Sequence, residues 1–425
     1  MRFAAKPLLA VAGVAAALMA TPPAAATPPL LPAGRFCLDP AASPDYTVVR
    51  PGSGFEVLAR PSARALAGRV HDIVARRIWP RWVAGFREGG GTGQPLGRPG
   101  RRFQIFVVPH REFPAGEAGA TEAYCAADRV PRFFAVAIPD DLEHRGRYGN
   151  LLATALAHET FHAFAHGVTG VIRADWWAEA TAAWAETLVA PNAAQIQGED
   201  AAFLSRPEVP LDDFSPRSLH PYGAFRFVQW TAFEEVLAGR SPWTLVVGAF
   251  RREAAGEAAI DAVVNEFEAR RIDAAFTGTF GESLANFWGQ ALFASPDPTG
   301  EFATGTPRPW AAPAAPQHDL GSIGSSLTWT PHAQPLAAEL VRAAVTPSCM
   351  RITLRSIDPE AFAYVWEGNH NGTGNVLMIF AQPGPTGFPF TTFTYTGTMR
   401  AAFVNGGVTP AGASITFGPT RPFPC

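Results

Sequence analysis

The sequence has little charge and little cysteine, and after its first twenty residues it has no long apolar run. Charged residues make up 17% of the 425 positions, and the formal net charge is −3. No basic stripe is present, which excludes the electrostatic footprint of a nucleic-acid binder. No internal uncharged stretch reaches eighteen apolar residues, so no membrane span is expected once the N-terminal segment is removed. The four cysteines, Cys37, Cys125, Cys349 and Cys425, include no C-x-x-C pair and do not read as metal ligands. What is abundant is apolar side chain, 47% of the chain, together with forty prolines and forty glycines. That composition predicts a sizeable core, long connections and two or more domains.

The N-terminal segment reads as an export signal. Arg2 and Lys6 precede an apolar stretch from Pro7 to Ala20, and Ala24-Ala25-Ala26 supplies a small-residue cleavage site. Residues 1–26 are therefore expected to be a signal peptide, and the mature protein to be secreted or periplasmic. In an exported chain an even cysteine count favours disulfides. Two cysteines precede the histidine-bearing helix described next, and two follow a proline-rich stretch. Cys37–Cys125 and Cys349–Cys425 are the expected pairs, each closing within one domain.

The stretch with most chemical content is Ala157-His158-Glu159-Thr160-Phe161-His162-Ala163-Phe164. His158 and His162 are four residues apart, so on a helix they share one face, one turn apart. Two imidazoles so placed can hold one Zn²⁺, and Glu159 between them is placed to take a proton from an attacking water. The neighbours are apolar nearly all round, which predicts a buried helix. Burying His, Glu and His without compensation costs roughly several kcal/mol, and a metal satisfies all three.

Downstream lies Asp175-Trp176-Trp177-Ala178-Glu179-Ala180-Thr181-Ala182-Ala183-Trp184-Ala185-Glu186. Zinc held by two histidines needs a third protein ligand and an open position. With this second stretch the chain resembles the gluzincin branch of zinc metallopeptidases, the thermolysin-like group, over about thirty-five residues from Leu152 to Glu186. Those proteins carry H-E-x-x-H on one helix and a ligand glutamate on the next. The resemblance implies His158, His162 and Glu179 as ligands of Zn²⁺ and Glu159 as general base, with a peptide or protein as substrate.

Two departures qualify that resemblance. Thermolysin-type enzymes carry an aspartate four residues after the ligand glutamate, and here that position is Ala183. Glu186, seven residues on, lies on the same helix face as Glu179 and either orients a ligand histidine or is a solvated glutamate near the helix end. The G-x-M-E-N motif of the aminopeptidase branch is absent. Among rival ligands, His166 continues the helix face but stands about 12 Å along the axis from His158. Asp175 is the runner-up for the third ligand.

Elsewhere the pattern is of an α+β protein. Gly54 to Leu58, Phe103 to Val108 and Arg132 to Ile138 read as strands. A helical pattern starting at Ser62 breaks near Pro80. In the gluzincins the strand nearest the cleft pairs with substrate backbone, and Arg132 to Ile138 is the candidate here, or else an ordinary core strand. Helical spacing recurs in Phe225 to Leu237, Trp243 to Phe250, Ile260 to Phe267 and Leu284 to Phe293. Gluzincins also use a downstream Tyr or His as an oxyanion donor, which makes Tyr222 the first candidate and His220 the second. Trp176, Trp177 and Trp184 read as core and cleft wall.

Residues 295–319 form a proline-rich linker between an expected zincin-like catalytic domain, residues 27–294, and residues 320–425. Period-two alternation from Met350 onward predicts an all-β sandwich of immunoglobulin or fibronectin type. The whole reads as a secreted zinc metallopeptidase. The competing reading is a non-catalytic exported zinc-binding or adhesion protein with a degenerate peptidase fold.

Overall fold

The computed structural model describes residues 45–97, 100–110, 120–125, 131–142, 151–170, 175–191, 194–215, 218–271 and 279–293. Toward the C-terminus it describes 318–323, 327–345, 350–357, 361–367, 375–379, 391–393, 397–407 and 409–419. The expected signal peptide, most of the expected linker, and Cys37, Cys349 and Cys425 lie outside these residues. Together the described residues form a mixed α and β architecture with three sheets.

The first sheet contains β1 (Thr47–Pro51), β2 (Phe55–Ala59), β3 (Phe103–Val108), β4 (Ala120–Cys125) and β5 (Pro131–Pro139), in the order β1-β2-β3-β5-β4. β2, β3 and β5 run parallel, and β1 and β4 are antiparallel edges. This decides between the two readings of Arg132 to Ile138 in favour of an ordinary core strand. Arg132 to Ile138 lies in β5, hydrogen-bonded on both sides by β3 and β4, so it has no edge to offer a substrate. The edge on that side of the sheet is β4.

Between β2 and β3 the helical pattern does not end at Pro80. α1 (Arg64–Ile73) passes through a π turn at Val74–Ile78 into α2 (Trp79–Glu88). Proline lacks an N–H, which is tolerated in the first turn of a helix because that donor has no partner there. Pro80 occupies that first turn of α2. The helix is re-registered rather than broken.

α3 (Leu151–Thr169) carries the H-E-x-x-H stretch and is buried along most of its length. It packs on α4 (Trp176–Val189), which Asp175 caps by accepting the Ala178 N–H at 2.9 Å. Then follow α5 (Ala194–Leu204), α6 (His220–Gly223), α7 (Phe225–Leu237), α8 (Trp243–Ala254), α9 (Ala259–Arg271) and α10 (Phe280–Phe293). Trp243 on α8 joins four helices. Its ring centroid lies 5.7 Å from Trp82, 5.0 Å from Trp184, 5.6 Å from Phe86 and 6.2 Å from Phe161. Burying large aromatic side chains stabilises by roughly 1.5–3 kcal/mol each, so this cluster fixes α3 and α4 against their surroundings. Trp176, Trp177 and Trp184 are all buried, as core residues should be.

Two further sheets follow. One has the order β13-β10-β15-β7, with β8 also on β15; the other has the order β12-β11-β14-β9-β6. Their strands are β6 (His318–Ile323), β7 (Leu327–Trp329), β8 (His332–Ala333), β9 (Ala338–Val345), β10 (Met350–Ile357), β11 (Ala361–Glu367), β12 (Asn375–Ile379), β13 (Thr391–Phe393), β14 (Gly397–Asn405) and β15 (Ala411–Pro419). α10 lies on β14 and β11. Leu284, Phe287 and Trp288 of α10 belong to the same buried core as Leu340, Ala402 and Val404 of the sheet. The helices and the second β region share a core. Among the described residues, no helix is long and apolar enough to cross a membrane.

Candidate metal centre

The helical geometry of α3 places His158 and His162 on one face, and the start of α4 brings Glu179 to them. His162 Nε2 lies 3.0 Å from His158 Nε2, and Glu179 Oε2 lies 3.1 Å from His158 Nε2 and 3.7 Å from His162 Nε2. Both histidines are buried. These three residues are the group that could hold a metal ion among the described residues.

The donor set fits a small tetrahedral cation. Ligand atoms bound to zinc at 2.0–2.1 Å in a tetrahedron stand ~3.3–3.4 Å apart. The three observed separations bracket that distance. Two imidazole nitrogens facing each other at 3.0 Å have at most one proton to share, and a cation between them removes the conflict. Burial pushes His158 down, but its hydrogen bonds to Glu179 and Glu186 outweigh that and hold it well above the usual histidine range. Burial likewise pushes Glu179 up, and the His162 and His158 rings more than reverse it, so its carboxyl sits far below the usual range. A cation taking the place of the His158 proton would release it.

Behind the triad, His158 Nδ1 is 2.8 Å from Glu186 Oε1. Glu186 is 1% exposed, so it is the histidine's partner and not a solvated glutamate at the helix end. Once the ring is neutral, its acceptance of the Nδ1–H would leave the Nε2 lone pair for a cation. Asp175, the rival ligand, has Oδ1 engaged as the cap of α4. His166 stacks on His162 with centroids 6.0 Å apart, and burial pushes it down to about 3, so it is neutral.

Glu159 follows His158 on α3 and is half-buried. Tyr222, on α6, has its ring 5.8 Å from the His158 ring. Burial pushes the Tyr222 phenol up, with further effects from Glu179, Glu159, Glu199 and Glu186, so it stays protonated and can donate. Glu199, buried on α5, is the carboxylate in that set which no sequence pattern indicated. It comes near Tyr222 only through packing. Gly223 makes that packing close, because a Cβ there would stand 2.3 Å from Glu199 O and 2.4 Å from Phe203 Cβ.

His220 is placed differently from Tyr222. Its Nε2–H donates to Pro210 O at 2.9 Å, its ring packs 4.8 Å from Phe203, and it is 2% exposed. Burial pushes its pKa down, which keeps the ring neutral. The proton it would offer an oxyanion is spent on a backbone carbonyl.

No protein-family model matches the chain, and no curated protein matches it. The functional reading therefore rests on the residues themselves.

Proposed function

We propose that the protein is a secreted, zinc-dependent peptidase with a zincin-like catalytic region, and that the two C-terminal sheets form a β-sandwich. One observation carries this reading. Three donors converge at separations suited to a tetrahedral cation, with a base candidate beside them and a buried carboxylate behind. A His₂Glu donor set with a remaining open position is the catalytic arrangement of zinc, whereas structural zinc sites are closed by four protein ligands.

His158, His162 and Glu179 would hold the ion, which when bound supplies Lewis acidity that lowers the pKa of water from 15.7 toward ~7. Glu186 holds the His158 ring by accepting its Nδ1–H. Glu159 takes the proton of the attacking water and delivers it to the leaving amine. Tyr222 donates its hydroxyl proton as a hydrogen bond to the developing oxyanion. The outer edge of β4 is suited to an extended peptide, whose backbone would continue the sheet as an added strand. Export through residues 1–26, and the pairs Cys37–Cys125 and Cys349–Cys425, complete the proposal.

The test is metal analysis together with cleavage of a denatured protein mixture, comparing the native chain with Glu159→Gln. Stoichiometric zinc in both, and hydrolysis only by the native chain, is the expected result. Zinc lost from Glu159→Gln would make Glu159 a ligand. A zinc-loaded native chain as inert as the variant would favour the non-catalytic binding protein.

A further inference from the structure

Between the metal centre and the C-terminal sheets runs a continuous set of contacts. The stretch after α5 meets the start of β9 through backbone hydrogen bonds. Ala338 N–H donates to Pro207 O at 2.8 Å, and Leu211 N–H donates to Leu336 O at 3.0 Å. Leu336 itself is held hard. It is 1% exposed, its N–H donates to Gly407 O at 3.2 Å, and its φ is 55°. A leucine adopts that left-handed conformation only where its surroundings over-determine it.

Pro210 lies between the two paired residues, and its carbonyl accepts the His220 Nε2–H at 2.9 Å. His220 opens α6, a single turn, and Tyr222 comes two residues later. Gly223 then seats that turn on α5, where the space for a Cβ is already taken. The turn that carries Tyr222 is thus fastened on one side by α5 and on the other by Pro210, which the β region holds in place.

We propose that His220 is a positioning residue for Tyr222, and that residues 336–338 hold the segment on which His220 is anchored. The C-terminal sheets are then part of the hydrolytic unit and not an appended binding module. This inference rests on the reading of Tyr222 as an oxyanion donor, but its test does not depend on turnover. A histidine that only filled space would give no return of the Tyr222 signal when a substitute N–H donor replaces it.

The experiment is NMR of the full zinc-loaded chain labelled with ¹³C at the tyrosine rings, six in number. The Tyr222 signal is assigned by its disappearance in Tyr222→Phe. His220→Ala should move that signal while zinc stoichiometry is kept, and His220→Gln, which retains an N–H donor, should return it toward the native position. Ala338→Pro removes the N–H that bonds Pro207 O, at the first residue of a strand where proline is tolerated. It should move the signal in the same direction as His220→Ala. Arg342→Ala, which breaks only an exposed pair with Asp319, should leave it in place. A native Tyr222 signal in either His220→Ala or Ala338→Pro overturns the proposal.

Kinetics supply the second readout. His220→Ala should lower kcat by ~10-fold or more with KM little changed, bounded by the ~10²–10³-fold loss expected of Tyr222→Phe. In a Tyr222→Phe background His220→Ala should add nothing, because its effect passes through the missing hydroxyl. Additive losses would overturn the proposal. A native chain that binds zinc and hydrolyses nothing would sink the peptidase reading, while the Tyr222 signal still decides the anchoring.

Discussion

His158 Nδ1 and Glu186 Oε1 stand 2.8 Å apart, joining the histidine-bearing face of α3 to the buried face of α4. Seven residues separate Glu179 from Glu186, two turns of helix, so one helix supplies both a donor to the centre and a brace for its first histidine. Ala183, four residues after Glu179, is fully buried.

That brace is open to direct test. Glu186→Ala should cost ~10–100-fold in zinc affinity or in kcat/KM, the usual penalty for removing the partner of a ligand histidine. Glu186→Gln, which can still accept the Nδ1–H, should lose less. Native affinity and native turnover in Glu186→Ala would show that the contact does no chemical work.

A buried ion pair joins α5 to α7. Arg226 and Asp200 make two hydrogen bonds of 2.7 Å with side chains only 5% and 1% exposed. Removing one member of a buried pair leaves the other charge uncompensated. Asp200→Ala should therefore destabilise by ~3–5 kcal/mol in urea unfolding, while replacing both members by apolar residues of similar volume should cost far less. A loss below ~1 kcal/mol for Asp200→Ala would mean the guanidinium finds water or another acceptor.

How much of this was legible in the sequence depended on whether a signal was local. His158 and His162 could be read together because helical spacing puts them on one face, whereas Glu159 as base and Glu179 as third donor came from the gluzincin resemblance. Glu186 could be read as sharing a face with Glu179 but not as buried, since burial is decided by what α4 packs against. β9, Ala338–Val345, was missed because its Ala, Glu, Leu and Arg residues favour helix. Pairing with β14 and β6 overrides that preference. Arg132 to Ile138 was rightly read as a strand, yet its place inside the sheet depends on β4, whose sequence gives little warning. His220 looked like a donor for chemistry because the gluzincins use a downstream Tyr or His in that role. Only the fold shows its proton directed at Pro210.

Glu234 gives a pH-dependent prediction outside the candidate metal centre. It accepts the Ser283 hydroxyl at 2.5 Å, and burial pushes its carboxyl up to about 7. Because the folded value lies above the unfolded one, its contribution is fully present below about 4.5 and is lost as pH rises through about 7. Glu234→Gln should thus match the native chain at low pH and exceed its stability above neutrality, by on the order of 2–3 kcal/mol. Urea midpoints at pH 5 and pH 8 decide it. An advantage that is the same at both values would mean the gain is not electrostatic.

The central claim is that Glu179 completes a zinc site with His158 and His162, and chelator competition at one fixed pH tests it most directly. Fixed pH matters because ligand protonation competes with the metal. Glu179→Ala should lose zinc affinity sharply, since two imidazoles alone leave the ion under-coordinated. Asp175→Ala should keep its zinc and lose only the helix cap, ~1 kcal/mol of stability. The account is contradicted if Glu179→Ala binds zinc as tightly as the native chain while Asp175→Ala releases it.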